Sequence, residues 1–329
     1  MKTRVGALLL SIVFLLTVCT ISAHASGKTK SREPKNAIVV AAFGTTVPTA
    51  VKSIINIVDR VKAAYPETEV HVTFTSNIIR SVWKRRQVKP QKWLDMGIPK
   101  EVLYVKNIFS TIGDLQEDGY RNIIVQPTHM FFMEQSYDLQ QYIDGLAGIR
   151  TMKKRWRPFD NLVMGRPALG MPGDRYEYHD DVEAAVATLA DDAKKARAAG
   201  ASLVYMGHGN EHWSTGIYHE VRKKMREVYP EVKTCVGVVE GYPGIDDILE
   251  ELKRSDNKKI MLKPFMIVAG DHAVNDMAGE EDDSWKSILE EQGFEVESVL
   301  EGLGSNNGFA DLFVDHIRDA AEERGIVLH

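Results

Sequence analysis

Three segments of the first half of this chain recur, in the same order, in its second half. AIVVAAFGTT (37–46) resembles SLVYMGHGNE (202–211), and EVHVTFTSN (69–77) resembles KTCVGVVEG (233–241). NIIVQPTHMFFMEQSYD (122–138) resembles KIMLKPFMIVAGDHAVND (259–276), with Pro127 matching Pro264. Units of this length exclude a solenoid, whose repeats run to roughly 20–50 residues. Each repeated segment begins with a short apolar run rich in Val and Ile, ending at Gly, Ser or Pro, the pattern of a buried strand. Between them lie helical spacings, such as Val51, Ile54, Ile55, Val58 and Val61 on one face. Strands alternating with helices specify parallel sheets joined by right-handed crossovers. The fold class is therefore α/β, with two related domains facing one another across a cleft.

Strands are expected at 36–43, 69–75, 102–106 and 122–126 in the first domain, and at 161–164, 202–206, 233–239, 258–263 and 295–300 in the second. Helices are expected at 48–65, 78–88, 134–149, 175–199, 214–229, 245–253 and 307–323. The domains then span 36–160 and 161–329, with the last helix placed to pack back on the first. Ahead of them, Lys2 and Arg4 precede a long apolar stretch that ends in Ala23-His24-Ala25. That is a secretory signal peptide (1–25), cleaved after Ala25 and followed by a polar leader (26–35), which places the protein in the periplasm. The bulky Val18 before Cys19 argues against a lipoprotein box. Cys19 leaves with the leader, so Cys235 has no disulfide partner and stability must come from a core.

The formal net charge of −5 becomes more negative once Lys2 and Arg4 are lost. No basic excess remains to collect phosphates, which excludes a nucleic-acid protein. Neither GxGxxG nor GxxxxGK[ST] occurs, and Gly44-Thr45-Thr46 is too short for a phosphate loop, so no nucleotide is expected. Cys-x-x-Cys-His is absent, which removes covalent haem attachment. His208 and His212 stand in HGNEH rather than HExxH, which argues against a helical zinc site.

Three groups follow consecutive strands of the second half: His208, Glu240 and His272. Strand ends about 5 Å apart can converge such groups on one ion. Two imidazoles and a carboxylate suit Co²⁺, Ni²⁺, Fe²⁺ or Zn²⁺ and leave positions open. Asp271 beside His272 is the expected orienting acid. His129 follows a strand of the first half and belongs on the cleft rim. Arg80, Lys84, Arg85, Arg86 and Lys89 form either a solvated face or a contact for a polyanionic ligand. His179, His219 and His316 read as helix-face residues, and His71 as core-edge.

AAFGTT, FTSNIIR, VQPTHM, MGHG, VVEGYPG and PFMIVAGDHAVNDMAG, in this order, resemble the class II tetrapyrrole chelatases. The nearest group is the anaerobic sirohydrochlorin cobaltochelatases of the CbiK type, and the resemblance runs from about Asn36 to the last helix. It implies two flavodoxin-like domains with the macrocycle between them, and ATP-independent insertion of Co²⁺, with Fe²⁺ as an alternative, into sirohydrochlorin. His208 and His272 match the catalytic metal-binding pair of the family and Glu240 its acidic partner, with His208 as proton acceptor. Gly44, Thr45, Arg80 and His129 are the expected substrate contacts. The exposed basic helix and the apolar 131–133 suggest a homo-oligomeric interface, and no membrane span is expected. The export signal departs from the family pattern, because the macrocycle is made in the cytosol. A second reading is therefore a periplasmic haem or metal carrier on the same fold, with His129 or His71 as haem ligand. A solute-binding protein is a third, and would not need the three groups aligned.

Overall fold

A computed structural model describes residues 35–173 and 175–329. The expected signal peptide, its cleavage site and the expected leader up to residue 34 lie outside the described residues. In the first half, KNAIVVAA makes strand β1 (Lys35–Ala42), whose last six residues are buried. Burial on both strand faces is what a parallel sheet sandwiched between helices requires. Helix α1 (Val51–Ala64), β2 (Glu69–Phe74), α2 (Asn77–Arg86), α3 (Pro90–Asp95), α4 (Lys100–Leu103), α5 (Ile108–Glu117), β3 (Tyr120–Pro127), α6 (Glu134–Ala147) and β4 (Asn161–Met164) complete this half. The second half holds α7 (Tyr178–Ala187), α8 (Ala190–Ala199), β5 (Ser202–Gly209), α9 (Gly216–Val228), β6 (Thr234–Glu240), α10 (Ile245–Lys253) and β7 (Lys259–Phe265). A π-helical turn (Ala273–Met277), α11 (Trp285–Glu291), β8 (Glu295–Ser298) and α12 (Asn307–Arg324) follow.

The two parallel sheets have the orders β2-β1-β3-β4 and β6-β5-β7-β8. The repeat seen in the sequence is thus a repeat of topology. In such orders the connections leave the central pair in opposite directions, and the crevice this creates at the strand carboxyl ends is where α/β sheets bind ligands.

Three expectations are corrected. Residues 102–106 are not a strand: Val102 and Leu103 belong to the one-turn helix α4 after Pro99, and only Lys106 bridges Thr73. A short apolar run serves a buried helical turn as well as a strand. Residues 161–164 do not open the second half. They pair with β3 as the edge of the first sheet, in a register pinned by amide bonds from Asn161 to Asn122 and from Asn122 to Asn36, each 2.9 Å. The single helix expected at 175–199 is broken between α7 and α8, where the Thr188 hydroxyl bonds back to the Ala185 carbonyl at 2.7 Å. The freed Thr188 carbonyl accepts from Asn306 at 2.8 Å, so the break leaves no unpaired group there.

The residues from Lys35 onward form one compact unit. Side chains alternate across each strand, so Ile38 and Val40 of β1 share a continuous core with Leu203 and Tyr205 of β5. Val39 and Ala41 point to the opposite face, against Ile108 and Ile143 of α5 and α6. Helix α12 packs on α1, where Arg60 forms a paired contact with Asp311 at 2.6 Å. That ion pair is solvent-screened and adds little; the apolar contacts of Phe309, Phe313 and Ile317 with Ile54, Val58 and Val61 carry the junction. No described helix is long and apolar enough to cross a membrane.

Candidate metal-insertion site

Strand β5 runs three residues further than its apolar stretch of 202–206, so His208 is its penultimate residue. Gly209 stands opposite Glu240, the last residue of β6. Gly207 lacks the side chain that would collide with the Tyr218 ring at 2.4 Å, and the Tyr218 hydroxyl accepts from the Gly209 N–H at 3.3 Å. Gly209 has φ +81°, and a methyl there would lie 1.8 Å from the Glu240 carbonyl oxygen. The two glycines therefore fix the backbone beneath His208 rather than simply baring the ring. Burial pushes the Tyr218 phenol up to about 12, keeping it neutral under the loop.

The chain returns from β7 through 266–271 and places His272 at the head of the π-helical turn, a geometry common at functional sites. The His208 and His272 rings stand 4.6 Å apart between centroids and almost perpendicular, at 86°. His272 Nδ1 lies 2.5 Å from Asp276 Oδ2. A carboxylate only accepts, so Nδ1 carries the proton and Nε2 presents its lone pair. Asp271, the acid expected to do this, instead accepts from the Asn275 amide at 3.1 Å. His208 Nδ1 donates to the Gly209 carbonyl at 3.1 Å, which leaves its Nε2 as the basic nitrogen as well. Glu240 Oε2 is 3.7 Å from His208 Nδ1, beyond hydrogen-bond range. Among the described residues no three His, Cys, Asp or Glu are gathered tightly enough to hold a metal. The three side chains are about two-fifths exposed (His208 41%, Glu240 38%, His272 37%).

The other expected contacts fare differently. Gly44 and Thr45 are buried, and Thr45 accepts from Trp83 Nε1 through its carbonyl at 2.9 Å; they shape the β1 turn, and the exposed residue there is Phe43. Arg80 spends its guanidinium on the Phe74 and Thr75 carbonyls and Asn77. Burial lowers its pKa. Arg86 lies between the rings of Trp83 and Trp93, 4.3 Å from each, and donates to the Thr46 carbonyl at 2.6 Å. Arg80 also lines a surface cavity beside β2, and Arg86 Nη1 is buried without a partner. Two surface cavities, of about 390 and 620 Å³, flank β2 and are lined by residues such as Lys84 and Asn107, and Lys62 and Asp114; neither reaches His208.

His129 is buried rather than on the rim. Its Nδ1 lies 2.8 Å from the Ser136 hydroxyl and its Nε2 has no partner. Burial lowers its pKa to about 4. The neutral ring is preferred in the folded chain, whereas an unfolded histidine takes up a proton near 6.5. Stability is therefore full above pH 6.5 and falls as pH drops toward 4, by on the order of 3 kcal/mol. Urea unfolding between pH 7 and 4 is expected to lose this slope in part in His129→Gln; equal slopes in both proteins would contradict it.

Known proteins were compared with the whole chain. The sequence model of one family, cobalt chelatase (CbiK), matches residues 36–322. The sirohydrochlorin cobaltochelatase CbiKC of Nitratidesulfovibrio vulgaris is 29% identical over 286 residues, covering 87% of this chain and 90% of that protein. The sirohydrochlorin cobaltochelatase of Salmonella typhimurium is 27% identical over 288 residues, covering 87% and 96%. Among solved structures, SirB from Bacillus subtilis with Fe³⁺ superposes with a TM-score of 0.57 at 15% identity, covering 88% of this chain and 98% of that one, a likeness of fold.

Proposed function

The chain belongs to the cobalt chelatase (CbiK) family, and from that premise we propose that it inserts Co²⁺ into sirohydrochlorin without ATP. The observation that carries this reading is the touching His208–His272 pair, each ring with Nε2 as its basic nitrogen, beside Glu240 on the neighbouring strand end. Insertion exchanges one divalent ion for two pyrrole N–H protons. The chain must therefore bind a partly hydrated Co²⁺ loosely enough to release it, and must accept protons on the same face of the macrocycle.

Two imidazoles and a carboxylate do the first: they match Co²⁺, and equally Fe²⁺, without enclosing it. Neutral imidazole does the second near pH 7, and His208 on the central strand is the acceptor in this reading. Glu240 is the second base within reach. Asp276 holds His272 in the tautomer that ligates, making His272 the fixed ligand and His208 the mobile one. A haem-carrier reading gains no support from the histidines named for it. His129 is buried, and His71 Nε2 lies 3.1 Å from Glu69.

The test is catalytic metal insertion. Purified protein, metal-free sirohydrochlorin and Co²⁺ are followed by visible absorption with and without ATP. Many turnovers per protein, unchanged by ATP, are expected. Uptake that stops at one equivalent would make the protein a carrier.

A further inference from the structure

The two halves meet by contacts that exchange under the internal repeat. On one side, Thr45 of the turn after β1 approaches Gly270 of the loop after β7, where a methyl would lie 3.4 Å from Thr45 Oγ1. On the other, the loop after β5 meets the segment after β3. There Asn210 donates to Glu134 at 3.3 Å, and Trp213 packs on Phe132 and Tyr137 at 6.4 and 5.8 Å. Since β1 corresponds to β5 and β3 to β7 in sheet order, the carboxyl ends of the two sheets are related by an approximate twofold.

Strand register says which residues correspond. Ala42 pairs with Phe74 as Gly207 pairs with Val238. Phe43 therefore stands where His208 stands, Gly44 where Gly209 stands and Ser76 where Glu240 stands. The backbones agree, with Gly44 at φ +99° and Gly209 at φ +81°. The side chains do not. The Ser76 hydroxyl is used in capping α2, accepting from the Ile79 N–H at 3.3 Å. Phe43 is 41% exposed at the tip of a strand whose preceding six residues are buried. The Ser76 N–H donates to the Phe43 carbonyl at 3.3 Å, so the ring is displayed on a held backbone.

We propose that Phe43 is a macrocycle-binding residue, supporting the face of sirohydrochlorin opposite the one that meets His208 and His272. This rests on the chelatase reading and assigns the other half of its cleft. A flat conjugated ring that takes metal and loses protons on one face needs an apolar surface on the other, and phenylalanine can neither ligate the ion nor accept a proton. Metal entry is thereby confined to the histidine side. An aromatic ring packed on a π-system adds to simple burial, and the exposed position of Phe43 allows it to be changed without opening the core.

The experiment is a titration of metal-free sirohydrochlorin into wild type, Phe43→Ala and Phe43→Trp, followed by absorbance, with cobalt-insertion kinetics on the same three proteins. Phe43→Ala is expected to raise the macrocycle Kd and its KM roughly tenfold, with the KM for Co²⁺ unchanged and kcat within about threefold of wild type. Phe43→Trp is expected to restore macrocycle binding. An unchanged macrocycle Kd in Phe43→Ala, or a defect confined to Co²⁺, overturns the assignment. Wild type that binds the macrocycle without inserting metal overturns the reaction instead, and the Kd comparison then still judges Phe43. Wild type that does not bind the macrocycle overturns both.

Discussion

Replacing His208 by alanine is expected to lower kcat/KM for cobalt insertion by about 10²–10⁴-fold, the usual loss on removing a positioned proton acceptor. The ring is exposed enough for its loss to leave the fold intact, and its own hydrogen bond is to the neighbouring Gly209 carbonyl. Macrocycle affinity should change little, because the imidazole meets the reacting nitrogens rather than the bulk of the ring. On the proposed reading His272, held by Asp276, still offers a ligand, so metal affinity is expected to fall less than turnover. Steady-state kinetics with sirohydrochlorin and Co²⁺ varied separately distinguish the two roles. A loss below about tenfold would move proton acceptance to His272 or Glu240.

Gly209→Ala is expected to be the most damaging added methyl among the described glycines. The residue has φ +81°, where a side chain alone costs about 1–3 kcal/mol. Its methyl would also lie 1.8 Å from the Glu240 carbonyl and 2.7 Å from Val238 Cβ. Strand β6 must then separate from β5 at the point where Asn210 donates to the Glu240 carbonyl at 2.9 Å. Together these predict a destabilisation of about 3 kcal/mol or more, and loss of insertion activity because Glu240 moves away from His208. Gly293 supplies the control: it has the same φ of +81° with open space where a methyl would go. Denaturant unfolding of Gly293→Ala should show only the backbone cost of about 1 kcal/mol. Equal losses in the two variants would mean that the close approach of β6 is not what Gly209 serves.

Much of this site is legible along the chain because its determinants are local. An apolar run that ends in glycine announces a buried strand and its tip. Duplication of the pattern announces a second sheet of the same order. Consecutive strands then bring His208 beside Glu240 without any knowledge of packing. His272 is harder to place, being seven residues past β7, although its position after the third consecutive strand already grouped it with His208 and Glu240.

The misplacements share one cause. Arg80 and His129 sit where sequence position alone suggests a ligand contact, yet whether a polar side chain faces solvent depends on neighbours distant in the chain or folded back from its own loop. Ser136 is drawn onto the His129 ring by the turn into α6, and Arg80 folds onto the end of β2. Asp276 rather than Asp271 orients His272 because the chain turns helical there and brings the residue four positions on against the ring, a turn that the apolar pattern of the sequence does not announce. Phe43 passes for another core residue of β1 until the strand is seen to end at Ala42.

By itself, then, the sequence determined the duplicated α/β architecture and singled out His208, Glu240 and His272 as candidates at its strand ends, since strand formation and glycine conformations depend on neighbours along the chain. The tertiary structure alone decided which imidazole nitrogens donate their hydrogen bonds and which polar groups are already consumed. Those depend on contacts between residues far apart in sequence, and burial and hydrogen-bond partnership exist only once the two sheets have packed.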